Sequence, residues 1–380
     1  MKKERLSQTE KVIVDERGML DVPYLVLTLM LVSIGLIMLF SASYAWAAKY
    51  DLPPTYYFVR QGGFAVFGVG FMLFVSRFNY QVWRFAAFGI LLASIFLLGL
   101  VLVPGLGVTR NGATRWLRIG FEFQPSEVAK LGVVLSFAAM ISVFREKMET
   151  FKYGVLPFGM ILGVIALLLY KEPHMSATII ILVVGGVMMF LGGTRFRWFI
   201  LLISLGGLLA YVYLSTKGYT GDRITAWKDP FAYADSSGYQ IVQSLYAIGS
   251  GGLFGLGFGH SRQKYLYLPE AQNDYIFAIV CEELGLVGAT LVMLLFALLI
   301  IRGYWIAMHA RDRFGALVAA GLTTLLALQV FFNIGVVSNF LPSTGISLPF
   351  FSYGGTALLI QLAEMGIVLS ISRRNTEKLI

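Results

Sequence analysis

Glu127 and Lys130 stand three residues apart in PSEVAKLG, at the mouth of one long apolar run, and Asp274, Glu282 and Glu283 stand in NDYIFAIVCEELG at the head of another. On a helix the first two share a face and can pair. Ionisable groups within apolar runs cost roughly 2.5–3.5 kcal/mol each on insertion scales, so they are functional candidates by default. Asp274 has two readings. It is a helix N-cap, where a carboxylate meets free N–H groups and the positive dipole end, or it is a carboxylate held at the outer surface beside basic residues, able to act as general base or metal ligand. Glu282 and Glu283 lie about 12–13 Å deeper at 1.5 Å per residue and point about 100° apart, so at least one needs an inward basic or amide partner. Glu364, in the last apolar run, poses the same problem. Lys171 and Glu172, just before Pro173, can snorkel to an interface.

The elements that position these groups follow from the solvent. Of 380 residues 57% are hydrophobic and 13% charged, and the mean hydropathy is +0.75. That leaves too little polar surface for a water-soluble globule. A hydrocarbon core of about 30 Å needs roughly 17–25 apolar residues per helix, and only helices or closed barrels satisfy their backbone groups there. The runs have helix length. Ten spans are expected, at Pro23–Ala47, Phe58–Val75, Val82–Val103, Pro125–Phe144, Val155–Tyr170, Met175–Leu191, Trp198–Leu214, Asp274–Ile301, Phe314–Val337 and Thr356–Ile371. The fold class is therefore all-α and polytopic. It divides into an N-terminal segment 1–21, a membrane domain 22–372 with outer loops 104–124 and 215–273, and a tail 373–380.

Orientation follows from the connections. More than half of the 30 Lys and Arg residues fall in segments that share a side with the N-terminus, so both termini are expected in the cytoplasm. The net charge of +9 is scattered at span ends, without a basic stripe and interleaved aromatics, which argues against nucleic acid. Two outer segments are basic against the trend: Arg110, Arg115 and Arg118 in the first, and Lys217, Arg223, Lys228, Arg262 and Lys264 in the second. Either an anionic ligand outside explains them, or lipid headgroups and acids such as Asp222 and Asp229 neutralise them.

Within 215–273, Tyr239–Ile248 has apolar residues at helical spacing, as expected of a short helix on the membrane surface. The glycine-rich run Gly249–Gly259 lacks a preceding strand and a following Gly-Lys-Ser/Thr, so it is not a nucleotide loop; close backbone packing or a turn array remains. The segment Leu341–Gly355 is either a partner contact or a re-entrant turn. The single cysteine, Cys281, excludes an internal disulfide and a cysteine-rich metal site. No internal repeat is visible, so a transporter of two similar halves has no support.

Six blocks carry a resemblance: NGATRWLRIG (111–120) with QPSEVAK (124–130), AWKDPF (226–231), GYQIVQSLYAIGSGGLFGLGFG (238–259), YLPEAQNDYIFAIVCEELG (267–285) and LPSTGISLPFFSYGG (341–355). In this order on a ten-span frame the chain resembles the SEDS family, the shape, elongation, division and sporulation proteins RodA, FtsW and SpoVE. SRQKYLYLPE (261–270) looks more like the division and sporulation branch. The resemblance implies a peptidoglycan glycosyltransferase that polymerises lipid II outside the cytoplasmic membrane and releases undecaprenyl diphosphate. It places the essential acid on Asp274 and sensitive positions on Arg115, Trp116, Glu127 and Lys130. It also implies a divalent cation, Mg or Mn, with Asp274 as base or ligand, and partnership with a class B penicillin-binding protein and other divisome, elongasome or sporulation proteins. Two departures stand out. Gln272-Asn273 replaces the usual His-Thr, which removes a histidine base, and Glu172-Pro173-His174 replaces a common Gln-Pro-Asp, which puts little in doubt.

On this reading Asp274 deprotonates the GlcNAc 4-hydroxyl of an acceptor as it attacks the MurNAc anomeric carbon of a donor, displacing diphosphate with inversion. Arg115, Lys130 and a cation neutralise the leaving group. Trp116 either stacks on a sugar or anchors the span at the interface. Two rivals stay open. A lipid-linked precursor flippase would need an inner entry site, which the short cytoplasmic links do not suggest; a non-catalytic scaffold recruiting a transpeptidase would leave Asp274 dispensable.

Overall fold

The computed structural model describes residues 18–110, 113–119, 121–200, 204 and 225–374. Among these the chain runs α1 (Val22–Lys49), α2 (Tyr56–Val75), α3 (Gln81–Val101), strands β1 (Gly107–Arg110), β2 (Ala113–Ile119) and β3 (Phe121–Phe123), α4 (Pro125–Phe144), α5 (Leu156–Lys171), α6 (Met175–Leu191), α7 (Tyr239–Gly251), α8 (Ile276–Met308), α9 (Arg313–Val337) and α10 (Gly355–Ser372). Eight helical segments are long and apolar enough to cross a bilayer, and α6 is a shorter apolar helix of 17 residues. Together they account for nine of the ten expected spans among the described residues. The seventh, Trp198–Leu214, lies mostly outside the described residues, as do residues 1–17, 215–224 and 375–380.

The helices form because lipid offers the backbone no other partner, and they associate where small residues let them approach. α4 is the most enclosed of the spans. Its Ser126, Ala129, Gly132, Ser136 and Ala138 are buried; a Cβ on Gly132 would lie 3.2 Å from Leu91 Cα in α3, and Ser136 Oγ donates to Ala87 O at 3.0 Å. α2 and α3 instead expose large side chains such as Phe67, Phe85 and Phe96, as a lipid-facing surface does. Gly18 N donates to Arg373 O at 2.8 Å, so the two ends of the described chain share one side. There Arg302 also grips Asp21, Nη2 to Oδ2 at 2.8 Å.

Three connections take a form that the sequence left open. The loop 104–124 folds into an antiparallel sheet in the order β1-β2-β3, with Val108 opposite Trp116 and Leu117 opposite Phe123. Its β-branched and aromatic residues suit a pleated, half-buried surface. Leu341–Gly355 is a re-entrant segment. Phe350 O comes so close to Gly35, halfway along α1, that a Cβ there would lie 2.4 Å away, which only glycine permits. Its backbone is satisfied by side chains: Leu348 N donates to Ser352 Oγ (2.8 Å), Phe350 N to Gln361 Oε1 (3.2 Å) and Gly354 N to Gln61 Oε1 (3.2 Å).

The third is the glycine-rich run, which is close backbone packing. α8 runs seven residues past its expected end at Ile301, and it breaks at Gly285 (φ 66°, ψ −169°). Around the break Leu256 N donates to Glu282 O (2.9 Å) and Leu286 N to Gly252 O (2.9 Å). α7 packs beside it, with Ile241, Val242, Ser244 and Ala247 buried and Ser244 Oγ donating to Val337 O at the end of α9. The run brings in the partners that Glu282 and Glu283 need. Glu282 accepts from Ser261 Oγ and from Arg262 N (3.0 Å). Glu283 accepts from Lys264 Nζ (2.9 Å) and from Ser41 Oγ of α1 (2.6 Å). Lys264 is 2% exposed and answers an internal acid, so of the two readings of the basic loop neutralisation by an acid holds for it, with Glu283 as that acid.

Removing one member of a buried ion pair strands the other charge and costs about 3–5 kcal/mol, whereas replacing both by apolar groups is often neutral. Lys264→Met is therefore expected to lower the thermal denaturation midpoint in detergent sharply, and Lys264→Met with Glu283→Leu to recover most of the loss. Equal losses in both would show that the pair does not fasten this loop.

Candidate functional site

The helix ends beside the three-stranded sheet surround a cavity of about 500 Å³, and the five residues expected from the sequence, Arg115, Trp116, Glu127, Lys130 and Asp274, all line it. They arrive on three supports. Pro125 at the first position of α4 has the φ a helix start requires, and one turn on, Lys130 Nζ meets Glu127 Oε2 at 2.7 Å with both side chains buried. β2 carries Arg115 and Trp116, and Arg115 Nη2 donates to Pro173 O (2.6 Å), tying the sheet to the turn between α5 and α6.

Asp274 sits just before α8 on a tightly bonded stretch. Asn333 of α9 donates through Nδ2 to both Asp274 O and Ile346 O, each at 2.7 Å, so one amide joins the aspartate to the re-entrant segment. Ser352 Oγ donates to Asn273 O (2.8 Å) and Tyr353 N to Gln272 O (2.9 Å). Gly345 (φ +70°) lies where an added Cβ would be 3.1 Å from Asp274 Oδ2. A side chain there would be strained and would crowd the carboxylate.

Three helix starts face the cavity, those of α4, α6 and α10, and none has a side-chain cap. In α10 the first N–H to reach back is Leu358 N, to Gly354 O; in α6 it is Thr178 N, to His174 O. The N–H groups before these lack an intrahelical acceptor and carry the positive end of the helix dipole. With Lys130, Arg115 and Arg60 on the walls beside Asp274, Glu270 and the paired Glu122 and Glu127, the donors suit an anion placed against the carboxylate of Asp274.

The turn between α5 and α6 differs from expectation. Glu172 does not snorkel: it is 1% exposed, and neither carboxylate oxygen has a hydrogen-bond partner. Burial pushes it up to about 8, against the opposing pull of Arg115. His174, 5% exposed, is pushed down to about 3 by burial and then by the Arg115 and Lys130 charges, so its imidazole is neutral.

The sequence reading missed His174, Ser176, Gln61, Gln329, Asn333 and Gln361. The four amides lie in apolar runs, and the rule that singled out the glutamates, that polar groups in a span need a partner, would have found them. Glu364 is buried in α10 close enough to Lys130 and Glu127 to feel both charges. Among the described residues no group of three or more His, Cys, Asp and Glu is placed to hold a metal ion. Glu270, Asn273 and Asp274 nonetheless line the same cavity and offer hard oxygens. Asn273 Oδ1 is buried without a partner, and Asn273 Nδ2 holds Glu270 Oε2 at 2.5 Å. Two carboxylates and an amide oxygen suit Mg²⁺ or Mn²⁺ when substrate oxygens complete the shell.

A family model described as cell cycle protein, covering FtsW, RodA and SpoVE, matches residues 22–377. The chain is similar to stage V sporulation protein E of Bacillus subtilis (strain 168), 42% identical over 356 residues, 93% of this chain and 97% of that one. It is also similar to a probable peptidoglycan glycosyltransferase FtsW of Geobacter sulfurreducens, 39% identical over 355 residues, 93% of this chain and 95% of that one. Among solved structures it resembles the rod shape determining protein RodA of Thermus thermophilus, with a TM-score of 0.69 at 26% identity, covering 94% of this chain and 98% of that chain. A chain in a structure described as structural coordination of polymerization and crosslinking by a peptidoglycan synthase complex gives a TM-score of 0.78 at 26% identity, covering 94% and 99%.

The buried Glu172 carboxyl sets a pH dependence. Its ordinary value is 4.5 and its folded value about 8, so above 4.5 the unfolded chain has lost a proton that the fold still holds. Folded stability falls across that window and levels off above it. Glu172→Gln removes the effect. Melting midpoints between pH 5 and 9 are expected to show the variant gaining on the wild type up to about pH 8 and then holding a constant lead; a gap independent of pH would contradict the shift.

Proposed function

The chain belongs to the FtsW, RodA and SpoVE family of cell cycle proteins, and we propose that this multi-pass protein of the bacterial cytoplasmic membrane is a peptidoglycan glycosyltransferase that joins the disaccharide units of lipid II in the cavity beside Asp274. The observation that carries the reading is the Asp274 carboxylate set among cationic and N–H donors in a cavity between apolar helices, where Glu127 and Glu122 are already paired with Lys130 and Arg118. A lipid-linked donor brings both things such a cavity recognises, an anionic diphosphate and an apolar tail.

In the proposed step the acceptor hydroxyl gives its proton to the Asp274 carboxylate as its oxygen attacks the anomeric carbon of the donor. One C–O bond forms, and the C–O bond to diphosphate breaks with inversion. The diphosphate leaves with its lipid, its developing charge met by Lys130, Arg115 and the open first turns of the helices. Glu127, paired with Lys130, holds the ammonium in the wall. Trp116, half-buried on β2, presents a ring at the cavity for a sugar face. Asp274, Glu270 and Asn273 would hold a divalent cation, which supplies further charge neutralisation to the diphosphate.

The RodA-like chain from a complex that polymerises and crosslinks supports a transpeptidase partner, of the class B penicillin-binding type, in the elongation, division or sporulation machinery.

The test is polymerisation of lipid II by the purified protein in liposomes, with cation and a transpeptidase partner present. Asp274→Asn keeps the size and the backbone bonds and loses the charge, so the rate is expected to fall at least about 100-fold, the lower end of what a positioned base contributes. Full activity of the variant at normal protein level would sink the mechanism.

A further inference from the structure

We propose that the first turn of α6 is a further subsite for anionic phosphoryl oxygens, with His174 Nδ1 and Ser176 Oγ as its side-chain donors. The inference rests on the glycosyltransferase reading and names residues in the cavity to which neither the resemblance nor the mechanism above gives a role.

His174 and Ser176 are 5% and 3% exposed, both line the cavity, and both His174 Nδ1 and Ser176 Oγ are buried without a hydrogen-bond partner. A buried donor left unmade costs about 1–3 kcal/mol. Two on one turn, both at the cavity wall, point to a ligand that completes them.

The protonation state follows from geometry. The Gln124 amide nitrogen, a donor, lies 3.1 Å from His174 Nε2. Nε2 is therefore the acceptor and the proton of a neutral ring sits on Nδ1, the atom without a partner. His174 also occupies the N-cap of α6, where Ser, Thr, Asp or Asn would supply an acceptor to the first turn. An imidazole engaged through Nε2 supplies none, so the first-turn N–H groups of α6 keep no intrahelical partner. Lys130, close enough for its charge to act on His174, adds a cation. The nearest carboxylate on α4, Glu127, is already taken by Lys130. Glu172 in the same turn does not line the cavity and burial favours its neutral form, so the cavity side of the turn presents donors, which selects a ligand with several anionic oxygens on one centre. The phosphoryl groups come either from the diphosphate of the intact donor or from the diphosphate-bearing product, and the same donors fit both.

The chain has three histidines, so ¹⁵N-histidine labelling of the full-length protein in detergent micelles gives a spectrum of few imidazoles. Inorganic diphosphate is expected to shift the Nδ1 signal of His174, assigned from a His174→Asn spectrum, and to leave those of His260 and His309 in place. No shift of His174 at millimolar diphosphate overturns the subsite.

The second arm is kinetic. His174→Asn keeps an N–H near the Nδ1 position, whereas His174→Gln places its amide near Nε2 and loses that donor. His174→Gln and Ser176→Ala should each raise KM for lipid II about tenfold, the loss of one hydrogen bond to a charged group, with kcat changed less than about twofold, and His174→Asn should recover most of the KM. Equal defects in the Asn and Gln variants, or a fall in kcat with KM unmoved, would show that His174 merely supports the turn. Weakened inhibition by undecaprenyl diphosphate in the Gln variant assigns the subsite to product as well as donor; unchanged inhibition assigns it to the donor alone. An Asp274→Asn enzyme that still polymerises removes the proposed base without touching the diphosphate shift. A wild type that polymerises without that shift removes only this subsite.

Discussion

The backbone between α9 and α10 enters the membrane domain without being helical, and every polar group it brings must find a partner inside the protein. Much of the half of the structure that holds the cavity is arranged to meet that requirement. Gln61 of α2, Asn333 of α9 and Gln361 of α10 each spend an amide on it. Asn333 spends the same amide on Asp274 O, so the bonds that hold a re-entrant backbone in lipid also hold the aspartate. Position and chemistry are thus coupled through one side chain. The close approach at Gly345 completes the coupling, because the segment supporting Asp274 also forms the wall its carboxylate faces.

A second constraint governs charge. Low dielectric makes an unpaired ion costly, and two of the buried charged pairs, Lys264 with Glu283 and Glu127 with Lys130, lie at hydrogen-bond distance. They differ in consequence. The first closes the glycine-rich loop onto α1 and the break in α8, away from the cavity, and uses up an acid and a base that would otherwise count among the candidates. The second lines the cavity. Lys130 is held by a single carboxylate on its own helix and keeps two further N–H donors for a ligand.

The cavity draws its electrostatic character as much from backbone as from side chains. Three helices start at its walls without side-chain caps, which an isolated helix would not favour, since a cap contributes about 1 kcal/mol. Such a feature is consistent with a site that receives its acceptors from a ligand. The small sheet that carries Arg115 and Trp116 closes the outer side, and its bond to Pro173 ties it to the turn bearing Glu172 and His174. The supports of the site are therefore mutually braced, from α2 to α10, although they are far apart in the chain.

The sequence by itself determined the solvent, the helices and the main chemical candidates. Apolar runs of spanning length have one solution in lipid, and a charge inside such a run declares itself whatever the neighbouring helices do. Asp274, Glu127 and Lys130 were legible for that reason, and Arg115 and Trp116 through the blocks that carry the resemblance. What only the tertiary structure decided is which polar groups answer which. Lys264 looked like part of an outer basic patch and is the partner of Glu283; Glu172 looked able to snorkel and is buried beside Arg115; the stretch 341–355 allowed two readings and is re-entrant. His174 and Ser176 gave no signal above an ordinary turn, and the loop 104–124 gave none of a sheet. The physical reason is common to these cases. Periodicity and hydropathy report how a residue relates to its solvent and to neighbours within a turn or two. The partner of a buried polar group comes from another element, selected by packing over long sequence separations, and that selection is made when the helices close on one another.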